Sequence, residues 1–132
     1  MTEKKKILEE LLLKEEDVAT LVNKIKTIMK IDEHGRPFFL VSEKTITAAE
    51  RLGIYLIARY FAHELGKAEK KSMSLQELAQ LSGTNYDITK TRVREMNNQR
   101  LVKKTKSGKT VEYAITNTGI STIADRINGK IK

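Results

Sequence analysis

The stretch SLQELAQLSGTNYDITKTRVREMNNQ, from Ser74 to Gln99, constrains the fold of this chain more than any other. It holds two short runs of helical spacing separated by a brief break. Ser74-Leu-Gln-Glu77 matches a capping box, in which the serine oxygen accepts from a free N–H and the glutamate reaches back. Met73 and Leu78 are placed to pack across it as a hydrophobic staple. The helix so opened is short, Leu75 to Leu81, and Ser82-Gly83-Thr84-Asn85 turns the chain. Asn85 suits the N-cap of a second helix, Tyr86 to Gln99. Two short helices joined by a tight glycine-containing turn make a helix-turn-helix. Without a gap, LVKKTK and KTVEYAIT then flank Ser107-Gly108, the pattern of a hairpin from Leu101 to Thr116. Lys103, Lys104, Lys106 and Lys109 crowd its tip.

Upstream lies a second strong signal. Thr47-Ala-Ala-Glu50 is another capping box, and the helix after it, AERLGIYLIARYFAHELG, is apolar on nearly every side. Such a helix is usually buried all round, so it reads as the central beam of the fold. Gly66 ends it, and GKAEKKS is a polar connection. Nearer the start, Val18, Leu21, Val22, Ile25, Ile28 and Met29 fall at helical intervals, as do Ile7, Leu8, Leu11 and Leu12. Glu15, Glu16 and Asp17 mark the start of the second run, where negative charge is favoured. The expectation is two short helices or one long kinked one. IDEHGRP is a turn, and Phe38 to Val41 a short strand that pairs around Met29 to Ile31. At the other end, Ile120, Ile123, Ala124 and Ile127 form a last amphipathic helix that Asn128-Gly129 closes. The fold class expected is mainly α with a small β-hairpin (α+β). Residues 1–45 form an N-terminal helical extension with a short strand, and residues 46–132 form the helix-turn-helix domain.

The charge is unevenly spread. Residues 1–45 hold nine basic and nine acidic side chains, whereas residues 46–132 hold sixteen and eight and so carry the whole net +8. Between Tyr86 and Lys109 the count is eight basic to two acidic. Such asymmetry points to an acidic partner for one region, although a basic surface can also serve solubility alone. The chain has no cysteine, which removes thiol chemistry and fits a reducing compartment. No apolar run approaches the roughly 20 residues that span a bilayer, and the N-terminus reads as helix rather than signal peptide. The expectation is a soluble cytoplasmic protein with no membrane segment.

The order helix, helix-turn-helix, basic hairpin, helix resembles the winged-helix fold, and most closely the transcriptional regulators of the MarR, ArsR and PadR types. The residues that carry the resemblance run from Ser74 to Ile127. Leu75, Leu78 and Ala79 match the inner face of the supporting helix, and Val93 and Met96 that of the recognition helix. The hairpin matches the wing, and Ile115 to Gly119 its exit into the last helix. Three positions depart from the pattern: Thr84 where an apolar residue is usual, Arg100 where glycine is common, and Thr89 in place of valine or leucine. A small rotation of the helix would let Ile88 compensate for Thr89. The resemblance, which does not extend to residues 1–45, implies a sequence-specific double-stranded DNA binder that acts as a homodimer; the sequence itself offers the apolar N-terminal helices as the candidate interface, for dimerisation or for another partner. A recognition helix fits a major groove about 12 Å wide. Its outer face would hold Tyr86, Asp87, Lys90, Thr91 and Arg94, with Arg92 and Asn97 at the margins. Lys103, Lys104, Lys106, Ser107 and Lys109 of the wing would meet the backbone.

Other functions are less well supported by the residues. His34 and His63 lack metal-ligand spacing with each other, and no glycine-rich phosphate loop appears. No enzyme, cofactor or metal is therefore expected. Lysines at a hairpin tip can serve only to block edge-to-edge aggregation. Two alternatives stay open, a protein-interaction adaptor built on a winged helix and a non-specific architectural nucleic-acid binder. RNA binding is disfavoured, because few aromatics are available to stack on single-stranded bases.

Overall fold

The computed structural model describes residues 2–9 and 17–131. Leu11, Leu12, Glu15 and Glu16, singled out above, lie outside them. The elements in chain order are α1 (Thr2–Glu9), α2 (Val18–Ile25), β1 (Met29–Ile31), β2 (Pro37–Phe39), α3 (Ala48–Glu64), β3 (Met73–Ser74), α4 (Leu75–Ser82), α5 (Tyr86–Asn98), β4 (Val102–Ser107), β5 (Thr110–Ile115) and α6 (Asn117–Lys130). One small sheet pairs β1 with β2 and the other has the order β3-β5-β4, both antiparallel. The second sheet, α4 and α5 form a winged helix-turn-helix, so the fold is α+β as the spacing implied.

The central helix is the beam expected of its sequence. Thr47 accepts from the Glu50 N–H while Glu50 accepts from the Thr47 N–H, closing the capping box at 3.1 and 2.9 Å. Leu52, Ile54, Leu56 and Ile57 are fully buried, and α3 packs against α4, α5, α6, β1 and β5. Leu65, at the helix end, is exposed instead. Leu21, Ile25, Ile28 and Met29 join the same buried cluster as the helix-turn-helix residues Leu78, Val93 and Met96.

Some boundaries differ from expectation. The helical spacing ran on to Met29, yet α2 ends at Ile25. Ile28 bonds back to the Ile25 carbonyl, and Met29 pairs with Phe39, so both are buried from a turn and a strand rather than from a helix. The partner strand covers Pro37–Phe39, not Phe38 to Val41. Proline is tolerated there because it opens an edge strand. Asn128-Gly129 does not stop the last helix. Asn128 donates to the Lys24 carbonyl at 3.0 Å and Lys130 to Glu50 at 2.5 Å, which holds the final turn in place to Lys130.

Glu50 is thus a buried carboxylate with two roles: it caps α3 and, through Lys130, ties α3 to α6. Burial pushes its pKa up, but the Lys130 ammonium and the Thr47 N–H outweigh that and leave it below the ordinary 4.5. Glu112 is likewise lowered, by Lys70 and Ser72. A carboxyl with a depressed folded-state value contributes stability above its unfolded value and loses it as pH falls through the folded one. Thermal midpoints should therefore hold steady from about pH 7 to about pH 5 and fall below the ordinary glutamate value. In Glu50→Gln the midpoint should be lower near neutral pH, and the gap to wild type should close on acidification. A gap that stays constant would rule out this linkage.

Candidate nucleic-acid interface

The helix-turn-helix is fixed to the beam at both ends of α4. Arg59 donates to Glu77 at 2.9 Å in the first turn, and Arg51 donates to the Ser82 carbonyl in the last. Glu77 is thereby occupied. Ser74 caps its N–H, but the glutamate does not reach back, so only half of the expected capping box forms. Gly83 takes a left-handed φ of 68° and turns the chain towards Asn85, whose side chain accepts from the N–H groups of Asp87 and Ile88.

In α5 the inward residues are Thr89, Val93 and Met96. Ile88 does not compensate for Thr89. It is 47% exposed, while Thr89 is fully buried and its hydroxyl donates to the Asn85 carbonyl at 2.9 Å. With Thr89 inward, the outermost stripe runs through Asp87, Thr91 and Arg94 at helical spacing, all exposed. Asn98, absent from the outer face expected of the sequence, continues that stripe and is exposed. Tyr86 and Lys90 are exposed along one edge and Asn97 is half-buried there. Arg92 is engaged by Glu95 at 2.6 Å, and the Thr91 hydroxyl by the Asp87 carbonyl at 3.0 Å. Lys90 and Arg94 have no carboxylate partner among the described residues.

The wing lysines are not a single cluster. Opposed residues of an antiparallel pair share a face. Lys104 faces Tyr113 and Lys106 faces Val111, on the side where Val102 and Ile115 are buried. Lys103, opposite Ala114, lies on the other side, and Lys109 sits in the turn with Gly108. All four are exposed, and none pairs with a carboxylate among the described residues. Of Ser107, only the backbone lies within the description, paired with Thr110. The wing root is tied down by Glu112, which accepts from Lys70 at 2.6 Å and Ser72 at 2.5 Å.

Arg100 joins helix to wing in an unusual conformation. At the end of α5 the Arg100 N–H bonds to the Asn97 carbonyl and the Leu101 N–H to the Met96 carbonyl, a Schellman pattern. α3 and α4 end in the same pattern with glycine at the left-handed position, but here arginine takes it at φ 63°. A side chain there costs about 1 kcal/mol relative to glycine. Arg100→Gly should therefore stabilise the fold by about that amount in denaturant titration. Unchanged or lower stability would show that the strain is relieved elsewhere.

His34 lies exposed in the β1–β2 turn, and His63 Nδ1 is 3.1 Å from the Ala68 carbonyl. Among the described residues no group of three or more histidine, aspartate or glutamate side chains is placed to hold a metal, and no helix is long and apolar enough to cross a membrane.

No protein-family profile and no curated protein matches the chain. Solved structures to which the chain is similar include AF1382 from Archaeoglobus fulgidus, at 20% identity and a TM-score of 0.47 over 67% of this chain and 90% of that one. YusO from Bacillus subtilis is similar at 15% identity and 0.42, over 67% of this chain and 63% of its own. A mutant of ZitR from Lactococcus lactis, solved in complex with DNA, is similar at 11% identity and 0.40, over 86% of this chain and 68% of its own.

Proposed function

We propose that this chain is a DNA-binding transcriptional regulator of the MarR/ArsR/PadR-like winged-helix kind, cytoplasmic, reading duplex sequence with α5 and holding the backbone with the β4–β5 wing. One observation carries the reading: the cations Lys90, Arg94, Lys103, Lys104, Lys106 and Lys109, none with a carboxylate partner among the described residues, belong to the two elements on either side of Arg100, and on α5 only Asp87 stands against them without a cationic partner among those residues. Unneutralised cations on a helix and a ribbon suit phosphates and guanine edges. Asp87 suits a cytosine amino group and Asn98 an adenine.

The homodimer belongs to this reading. Ile7, Leu8, Val18, Val22 and Leu65 are all exposed, and Val18, Val22 and Leu65 line an apolar cleft of ≈ 380 Å³ with Ile25, Met29 and Phe61. In our reading a second copy covers it, so residues 1–45 serve as the dimerisation segment. Two copies would favour half-sites about one helical turn, ~34 Å, apart. Selection of bound duplexes from a random pool, with mass in solution measured alongside, tests both parts. A pseudo-palindrome and a dimer mass are expected. Equal affinity for every duplex would leave only a non-specific architectural binder, and a monomer mass would remove the dimer.

A further inference from the structure

The helix α5 breaks a packing rule at one place. Of two adjacent β-branched residues, the polar one, Thr89, is buried and the apolar one, Ile88, is exposed. Burying isoleucine instead would remove more apolar surface from water and would not require the Thr89 hydroxyl to find the Asn85 carbonyl. Local choices that oppose stability are expected at functional positions.

The neighbouring residue sharpens the case. Thr91 lies three residues on, on an adjoining part of the same surface. Its hydroxyl is committed to the Asp87 carbonyl, which leaves the methyl as its free group. Ile88 and Thr91 therefore present adjacent apolar groups, with the Arg92–Glu95 ion pair beside Ile88 and Asp87 and Arg94 beside Thr91. They sit in the first half of the helix, the part that approaches base edges when such a helix enters the major groove. The apolar feature on a major-groove edge is the pyrimidine C5-methyl.

Resting on the DNA-binding reading above, we propose that Ile88, with the Thr91 methyl beside it, recognises the C5-methyl of a thymine in each half-site. Ile88 is thus a specificity-determining residue whose ligand is a single methyl group. The same chemistry is offered by 5-methylcytosine, and the two sources can be told apart.

The test uses the full chain and a duplex recovered from the random-pool selection. Each thymine is replaced in turn by deoxyuridine, which deletes only the methyl. Loss of one buried methyl corresponds to about a fourfold weakening, expected at one thymine per half-site. In Ile88→Ser that uracil effect should vanish. In Ile88→Val part of it should remain. Placing 5-methylcytosine opposite guanine at the same position should restore no binding if thymine is the source, because the base pair is then wrong for the other contacts. Restored binding would overturn thymine as the source. Specific binding with no uracil-sensitive position would overturn the proposal and leave the DNA reading intact. A uracil effect that persists in Ile88→Ser would assign the methyl to another residue. Absence of any duplex binding would overturn the reading on which the proposal rests.

Discussion

Gly119→Ala should unfold this protein at a temperature roughly 10 °C lower than wild type, a loss of about 3 kcal/mol or more. Alanine at a helical glycine ordinarily adds about 1 kcal/mol, so the sign itself is informative. Thr116 caps α6 by accepting from the Gly119 N–H at 2.9 Å, and its own N–H and hydroxyl both donate to the Leu101 carbonyl at 3.0 Å. The start of the wing and the start of the last helix are thereby clamped around one carbonyl. A Cβ on Gly119 would collide with that carbonyl, which is backbone and cannot swing aside as a side chain could. Relief requires α6 to part from Leu101 and would disturb the buried Ile120 and Ile123. A thermal melt decides the matter, and an unchanged or raised midpoint would mean that this junction is looser than described.

Lys104→Ala with Lys106→Ala should weaken duplex binding broadly without changing the preferred sequence. Both side chains lie on one face of β4 and are free of carboxylates among the described residues. Each phosphate neutralised contributes about −0.9 to the slope of log Kobs against log salt. Removing two lysines should therefore make the slope shallower by about 2. Lys103→Ala, on the opposite face, provides the contrast: if only the Lys104 and Lys106 side of the wing meets DNA, its slope will match that of wild type. An unchanged slope in the double variant would leave the lysines as a device that keeps a hairpin edge from pairing with other chains.

The parts of the fold legible in the sequence were those set by local chemistry. Thr47 with Glu50, Gly83 in the turn and Asn85 at the next helix each satisfy backbone groups within a few residues, and such pairs leave a signature that spacing alone reveals. Where long-range partners decided, the signature misled. Glu77 had the right spacing to complete a capping box, but Arg59, from α3, claimed its carboxylate. Asn128-Gly129 looked like a helix end, but Lys24 and Glu50 hold that turn from elsewhere in the chain. Met29 had helical spacing and was taken by a strand, because burial is compatible with either period once Phe39 lies opposite.

The candidate site was legible as elements and less so as faces. The lysines of the wing and the cations of α5 follow directly from composition and order. The phase of α5 did not, because threonine and isoleucine at adjacent positions invite the wrong choice of inward residue. The partition of the wing lysines between two faces likewise needed the register of Lys104 against Tyr113, which no spacing within one strand supplies.

Equilibrium binding of the unaltered chain to duplex DNA over a range of salt bears most directly on the proposed role of α5 and the wing. With Lys103, Lys104, Lys106 and Lys109 meeting phosphates, log Kobs should fall against log salt with a slope of about −4 or steeper. No measurable binding near 50 mM salt, or a slope indistinguishable from zero, would mean that these cations do not form a nucleic-acid surface.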